Sequence, residues 1–145
     1  MKALKLPVLT LLLLLPALAP AQGMDRIKSP DGARVYFITP DDGATVSSPV
    51  TIRFGLEGMG IAPAGVVQQG TGHHHLLIDL GDSEMPGMDR PLPTSDQLIH
   101  FGGGQTEVDI ELEPGEHTLQ LLVGDYRHVP HNPPVISERI TITVE

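Results

Sequence analysis

Residues 106–123 read TEVDIELEPGEHTLQLLV, two apolar-alternating runs separated by the turn signal EPGE. Val108, Ile110 and Leu112 alternate with Glu107, Asp109 and Glu111; Leu119, Leu121 and Val123 then alternate with Thr118, Gln120 and Leu122. A strand sends successive side chains to opposite faces, so a period of two marks a sheet with one face in a core. A helix would need apolar residues at 3.6-residue spacing, and after the first twenty or so residues no stretch keeps that spacing for three turns.

The same alternation recurs outward from this stretch. It appears in ARVYFITP around Val35 and Phe37, in PVTIRFGLEG through Val50, Ile52, Phe54 and Leu56, and in the closing ITITVE through Ile140, Ile142 and Val144. Residues 75–80 are nearly continuous apolar, the pattern of a strand covered on both faces. Turn signals at Pro40–Gly43, Gly58–Gly65 and Pro130–Pro134 separate these runs. Six or seven short strands predict an all-β fold: an immunoglobulin-like antiparallel β-sandwich of about seven strands. With aromatic residues at 3% and no tryptophan, its core must be built from Val, Ile and Leu. A long proline-containing connection at residues 81–95 departs from a plain sandwich, and connections of that length often carry function.

The N-terminus is different in kind. Lys2 and Lys5 precede an apolar run from Leu6 to Leu18, followed by Ala19-Pro20-Ala21. This is the pattern of a secretory signal peptide over residues 1–21, cleaved after Ala21. It leaves a linker at 22–33 and a single domain at 34–145, periplasmic or secreted and off the membrane once cleaved. The chain has no cysteine, so a lipid-anchored form, a disulfide framework and a thiolate metal site are all excluded. The net charge is −9; losing Lys2 and Lys5 leaves 7 basic against 18 acidic residues, a net of −11. Such a surface argues against nucleic acid and anionic lipid, and suits cations.

Seven histidines carry what chemistry the chain offers. The run TGHHHLLIDL places His73 and His75 on one side of a strand and His74 on the other. Cβ atoms two apart on a strand are about 6–7 Å from each other, so both rings can reach one ion. In DYRHVPHNPPV, His128 and His131 sit three apart in a segment that prolines hold extended, which limits the entropy lost on fixing it. His100 closes the run QLIH before Gly102. These five are the first candidates for metal ligands. His74, His117, Met85 and Met88 rank behind them, because His117 falls at the edge of a core face and an MPGM spacing arises easily by chance. Met59 lies in a turn, and Asp79 is a candidate to orient a ligating ring from behind. Imidazole suits copper and zinc, and loop thioethers suit Cu(I), so copper is expected first and zinc second.

The expected activity is binding, sequestration or delivery of a metal without turnover. Two alternatives stand beside it: an envelope interaction domain that contacts a protein partner through its rigid loops, and a metal-dependent hydrolase. Catalytic signatures are missing: there is no G-x-S-x-G elbow, no H-E-x-x-H helix and no phosphate-binding glycine loop. Grouped imidazoles can also sense pH.

GHHHLLID, HFGGGQTE, PGEHTLQLLVGDYRHVPHNPPV and ITITVE together resemble a family of bacterial exported domains of unknown function, over about Val35 to Glu145. That resemblance implies a signal peptide before one small β-rich domain and directs attention to His73–His75, His100, His117, His128 and His131. It implies no activity, and the methionines stand outside its pattern.

Overall fold

The computed structural model describes residues Gly23–Glu145; the expected signal peptide lies outside the described residues. Among the described residues nine strands run in chain order: β1 (Arg34–Thr39), β2 (Thr45–Val46), β3 (Val50–Glu57), β4 (Gly60–Ile61), β5 (Thr71–Ile78), β6 (Leu98–His100), β7 (Glu107–Ile110), β8 (Gly115–Gly124) and β9 (Ile140–Val144). Among the described residues the only helical element is a 3₁₀ turn at Asp82–Glu84.

The strands form a three-stranded sheet in the order β1-β3-β7 and a six-stranded sheet in the order β2-β9-β8-β5-β4, with β6 paired to β5. The fold is therefore all-β and sandwich-like. Most pairings are antiparallel; β2 with β9 and β4 with β5 are parallel. Between the sheets lies a core of Val35, Val50, Ile52, Phe54, Leu76, Ile78, Leu119, Leu121, Val123 and Ile142. These are the alternating apolar positions of the sequence, and the strand period accounts for their facing inward together. The acidic alternation of β7 faces solvent, where Glu107 pairs with Arg53 and Asp109 accepts a hydrogen bond from Thr51.

β5 and β8 position the site. They pair antiparallel from His73 opposite Gly124 to Ile78 opposite Leu119, the neighbourhood that a shared site for the two histidine clusters requires. β5 begins at Thr71, earlier than the apolar run suggested, so His73–His75 lie inside the strand and all three are buried. Its even residues, Leu76 and Ile78, join the core between the sheets. Leu77 points to the opposite face and packs with Leu92, Leu98 and Leu122, against Leu80, Met85, Met88 and Ile136. The long connection after β5 thus lies over the outer face of the large sheet, and this covering explains why β5 is apolar on both sides.

The segment expected as a linker is docked. Ser29 donates to the Asn132 carbonyl, Asn132 donates to that of Ile27, and Arg26 reaches the carbonyls of Pro130 and His131. Among the described residues no helix is long and apolar enough to cross a membrane.

Candidate metal centre

Residues paired directly across an antiparallel ladder point to the same face. His75 is paired with His100 on β6 and with Leu122 on β8. His73 and His75, two apart, share that outer face with His100, so three imidazoles come from one rigid sheet. The fourth comes from the loop after β8: His128 stands over them at φ 67°, a backbone conformation that histidine adopts more readily than most residues.

One ring nitrogen from each of His73, His75, His100 and His128 falls within 4.8 Å of all the others. Ring centroids are 4.9 Å apart for His73–His75 and His73–His100, 5.1 Å for His73–His128 and 4.5 Å for His100–His128. The Nε2 of His73 and the Nδ1 of His128 approach to 3.1 Å. A tetrahedral shell with metal–nitrogen bonds of about 2.0–2.1 Å holds its nitrogens about 3.3 Å apart. With the nitrogens all within 4.8 Å of one another, the rings stand somewhat wider than that arrangement and must draw inward to reach it.

The polar atoms of the site fit such a shell. Both ring nitrogens of His75, the Nδ1 of His73 and the Nε2 of His100 are buried without a hydrogen-bond partner among the described residues. Buried polar atoms are seldom left so, because each costs roughly 1–3 kcal/mol. Burial also sets their charge. The pKa of His73 is lowered to about 4, by desolvation first and then by repulsion from His100 and His128; that of His75 is lowered to about 3 by desolvation and the neighbouring rings. His100 is lowered for the same reasons, burial first and His128 second. At neutral pH the buried rings present free lone pairs, the form a metal requires.

Glycines make the room. A Cβ on Gly124 would lie 2.7 Å from His75 Cε1 and 3.2 Å from the His128 Cα. One on Gly102 would lie 2.4 Å from His100 Cε1. No residue-type signal in the sequence singles these glycines out as site residues. Only the register that sets Gly124 opposite His73 does so.

The remaining candidates lie elsewhere. His131 is buried 1% exposed with its ring against Gly72, and it is not among the four rings that converge. His74 faces the core, its ring 5.0 Å from that of Phe54, with its pKa lowered to about 4 by burial. His117 bonds Asp79 at 2.7 Å and the Glu113 carbonyl at 2.8 Å, so Asp79 orients His117 and not a ring of the cluster. The Asp79 hydrogen bond raises the pKa of His117. Met85 and Met88 pack on the leucine cluster beneath the long connection, and Met59 packs on the main core.

A pH dependence follows for the metal-free protein. His73, His74 and His75 take up protons in the unfolded chain near 6.5 but in the folded chain only at about 4, 4 and 3. Between those values the unfolded state binds more protons, so stability falls as pH drops from about 6.5 toward 4. His117, with its pKa raised, works in the opposite sense: its contribution is whole below about 6.5 and is lost as pH rises through its folded value. Urea midpoints of the metal-free protein are therefore expected to fall steeply from pH 6.5 to 4. The slope corresponds to a few kcal/mol per buried ring at most. A midpoint flat across that range would show the rings to be solvated.

Comparison with known proteins adds a family and little else. No curated protein matches the chain. The endo-beta-1,4-mannanase of Thermotoga petrophila is a structural neighbour at TM-score 0.45 and 15% identity, over 78% of this chain and 20% of that one. The chain thus spans a fifth of that enzyme's length. The model of the domain of unknown function DUF4399 matches residues 52–145, from β3 to the last strand and with every histidine of the site inside it. On that match the chain belongs to the DUF4399 family.

Proposed function

We propose that this domain binds one transition-metal ion through His73, His75, His100 and His128, in an exported, periplasmic or secreted setting, and that it sequesters or delivers the ion. The supporting observation is the convergence of four ring nitrogens within 4.8 Å, several of them buried and without other partners. An all-imidazole set suits copper, zinc and nickel and disfavours magnesium and calcium, which take oxygen ligands. Copper is the first assignment and zinc the second. The packing of Met85 and Met88 on leucines leaves that order resting on the imidazoles, without support from thioether sulfur. Four protein ligands fill a tetrahedral shell, the arrangement of a holding site; catalytic zinc sites keep a position open for water. The converging group contains no carboxylate to act as a general base.

Competition titration with Cu²⁺ and Zn²⁺, on protein purified without a histidine tag, tests this reading. One ion per chain is expected, and His131→Ala is expected to bind as wild type does. Absence of stoichiometric binding of either ion would overturn the reading. Loss of binding in His131→Ala would move the site.

A further inference from the structure

Three of the four rings are fixed by strand pairing, but His128 stands on a loop. That loop is organised by one carboxylate. Asp125 is 1% exposed. Its Oδ1 accepts the backbone N–H of Arg127 at 2.7 Å and that of Val129 at 3.0 Å, the residues on either side of His128. Its Oδ2 accepts from the Arg127 guanidinium, Nη2 at 2.9 Å and Nε at 3.2 Å. Its backbone closes the same turn: the Asp125 carbonyl accepts the His128 N–H at 2.8 Å, and the Asp125 N–H donates to Val129 at 2.9 Å. Arg127 also donates to the Asp25 carbonyl, and the His128 carbonyl accepts the Leu92 N–H, which ties the turn to the N-terminal segment and to the long connection.

Every one of these bonds restrains the backbone on which His128 sits at φ 67°. That conformation costs a non-glycine residue roughly 1–2 kcal/mol, which these bonds offset. From this we infer that Asp125 is a positioning residue for the metal: it holds His128 over the sheet-borne rings of His73, His75 and His100 and so completes the fourth bond. The inference rests on the metal-binding reading above and deepens it, because it assigns affinity to a residue that donates no ligand atom. It also divides the site into a preformed three-histidine platform and a loop-borne closure.

Asp125→Asn keeps the size of the side chain but removes its charge and puts an N–H₂ where one of the two donor sets now points. Loss of an outer partner of this kind typically weakens metal binding 10–100-fold. The decisive comparison is a double-mutant cycle, with Zn²⁺ affinity measured for wild type, Asp125→Asn, His128→Ala and the double variant. Asp125→Asn is expected to weaken binding about 10–100-fold in wild type and by no more than about twofold once His128 is gone, since a residue that acts through His128 has nothing left to act on. Cu²⁺ bound to Asp125→Asn is expected to give an electron paramagnetic resonance spectrum of fewer coordinated nitrogens than wild type, a readout that a general loss of stability would not move. If Asp125→Asn does not fold, Arg127→Gln, which removes the guanidinium contacts with Asp125 and the Asp25 carbonyl but keeps the Asp125 carboxylate on the turn's backbone, enters the same cycle with a smaller loss of the same sign.

Equal effects of Asp125→Asn with and without His128, or wild-type affinity in Asp125→Asn, would overturn the inference while leaving the metal site standing. Failure of wild type itself to bind Zn²⁺ or Cu²⁺ would overturn both.

Discussion

His75→Ala is expected to lower the affinity for Cu²⁺ or Zn²⁺ by more than about 100-fold, the upper end of what loss of a mere supporting residue costs a metal site. His75 is one of the four converging rings. It sits opposite His100 across the ladder, its ring stacks 5.1 Å from that of His100, and both its nitrogens are buried without a partner among the described residues. Alanine removes a ligand and at the same time relieves a buried polar ring, so the two consequences separate in measurement. Metal affinity falls, while the metal-free protein keeps its stability or gains some, because two unsatisfied buried atoms leave with the ring. Wild type mixed with excess ion should melt higher than metal-free wild type, by the free energy of mass action: about 2.7 kcal/mol at a hundredfold excess over Kd. His75→Ala should show no such gain. Calorimetry with and without ion reads both effects. A variant that melts lower than wild type without metal, yet still gains stability from it, would mean that His75 is a core residue and the ion sits elsewhere.

The second large effect concerns a residue with no side chain. Gly124→Val places a branched side chain where its Cβ alone would lie 2.7 Å from His75 Cε1 and 3.2 Å from the His128 Cα. Neither neighbour yields easily: His75 is clamped between β6 and β8, and His128 belongs to a closed turn. Overpacking of this kind typically costs 1–3 kcal/mol. The substitution should therefore lower the urea midpoint and abolish metal binding together. Leu122→Val, on the same outer face and strand but within the leucine cluster, should lower stability and leave the ion bound. Retention of metal by Gly124→Val would mean that His75 and His128 do not need to approach each other.

Much of this was legible in the chain. Alternation marked the strands, because an inward side chain must be apolar whatever it packs against. It also put His73 and His75 on one side and His74 on the other, a parity that strand geometry enforces without knowledge of the fold. Alternation could not say which sheet a strand joins. β7 and β8 follow each other through EPGE and read alike, yet β7 pairs with β3 in the small sheet and β8 with β5 in the large one. The choice between His128 and His131 was closed for a related reason. Three residues apart on a proline-rich loop, they are equivalent in sequence. Only the turn around Asp125 and the docking of Arg26 on the carbonyls of Pro130 and His131 send one ring into the cluster and the other against Gly72. His100 needed the length of the preceding connection, since a register shift of one residue on β6 would turn its ring to the opposite face. The methionines that favour copper over zinc in the sequence pack on the leucines beneath the long connection, which accounts for their position without a metal.

X-ray absorption at the edge of the bound ion, on protein loaded with one equivalent of Cu²⁺ or Zn²⁺, measures the shell itself. Four nitrogen scatterers near 2.0 Å are expected, with the outer-shell pattern of imidazole rings, falling to three in His128→Ala. A shell of oxygen scatterers, or one unchanged by removal of His128, would contradict the four-histidine site.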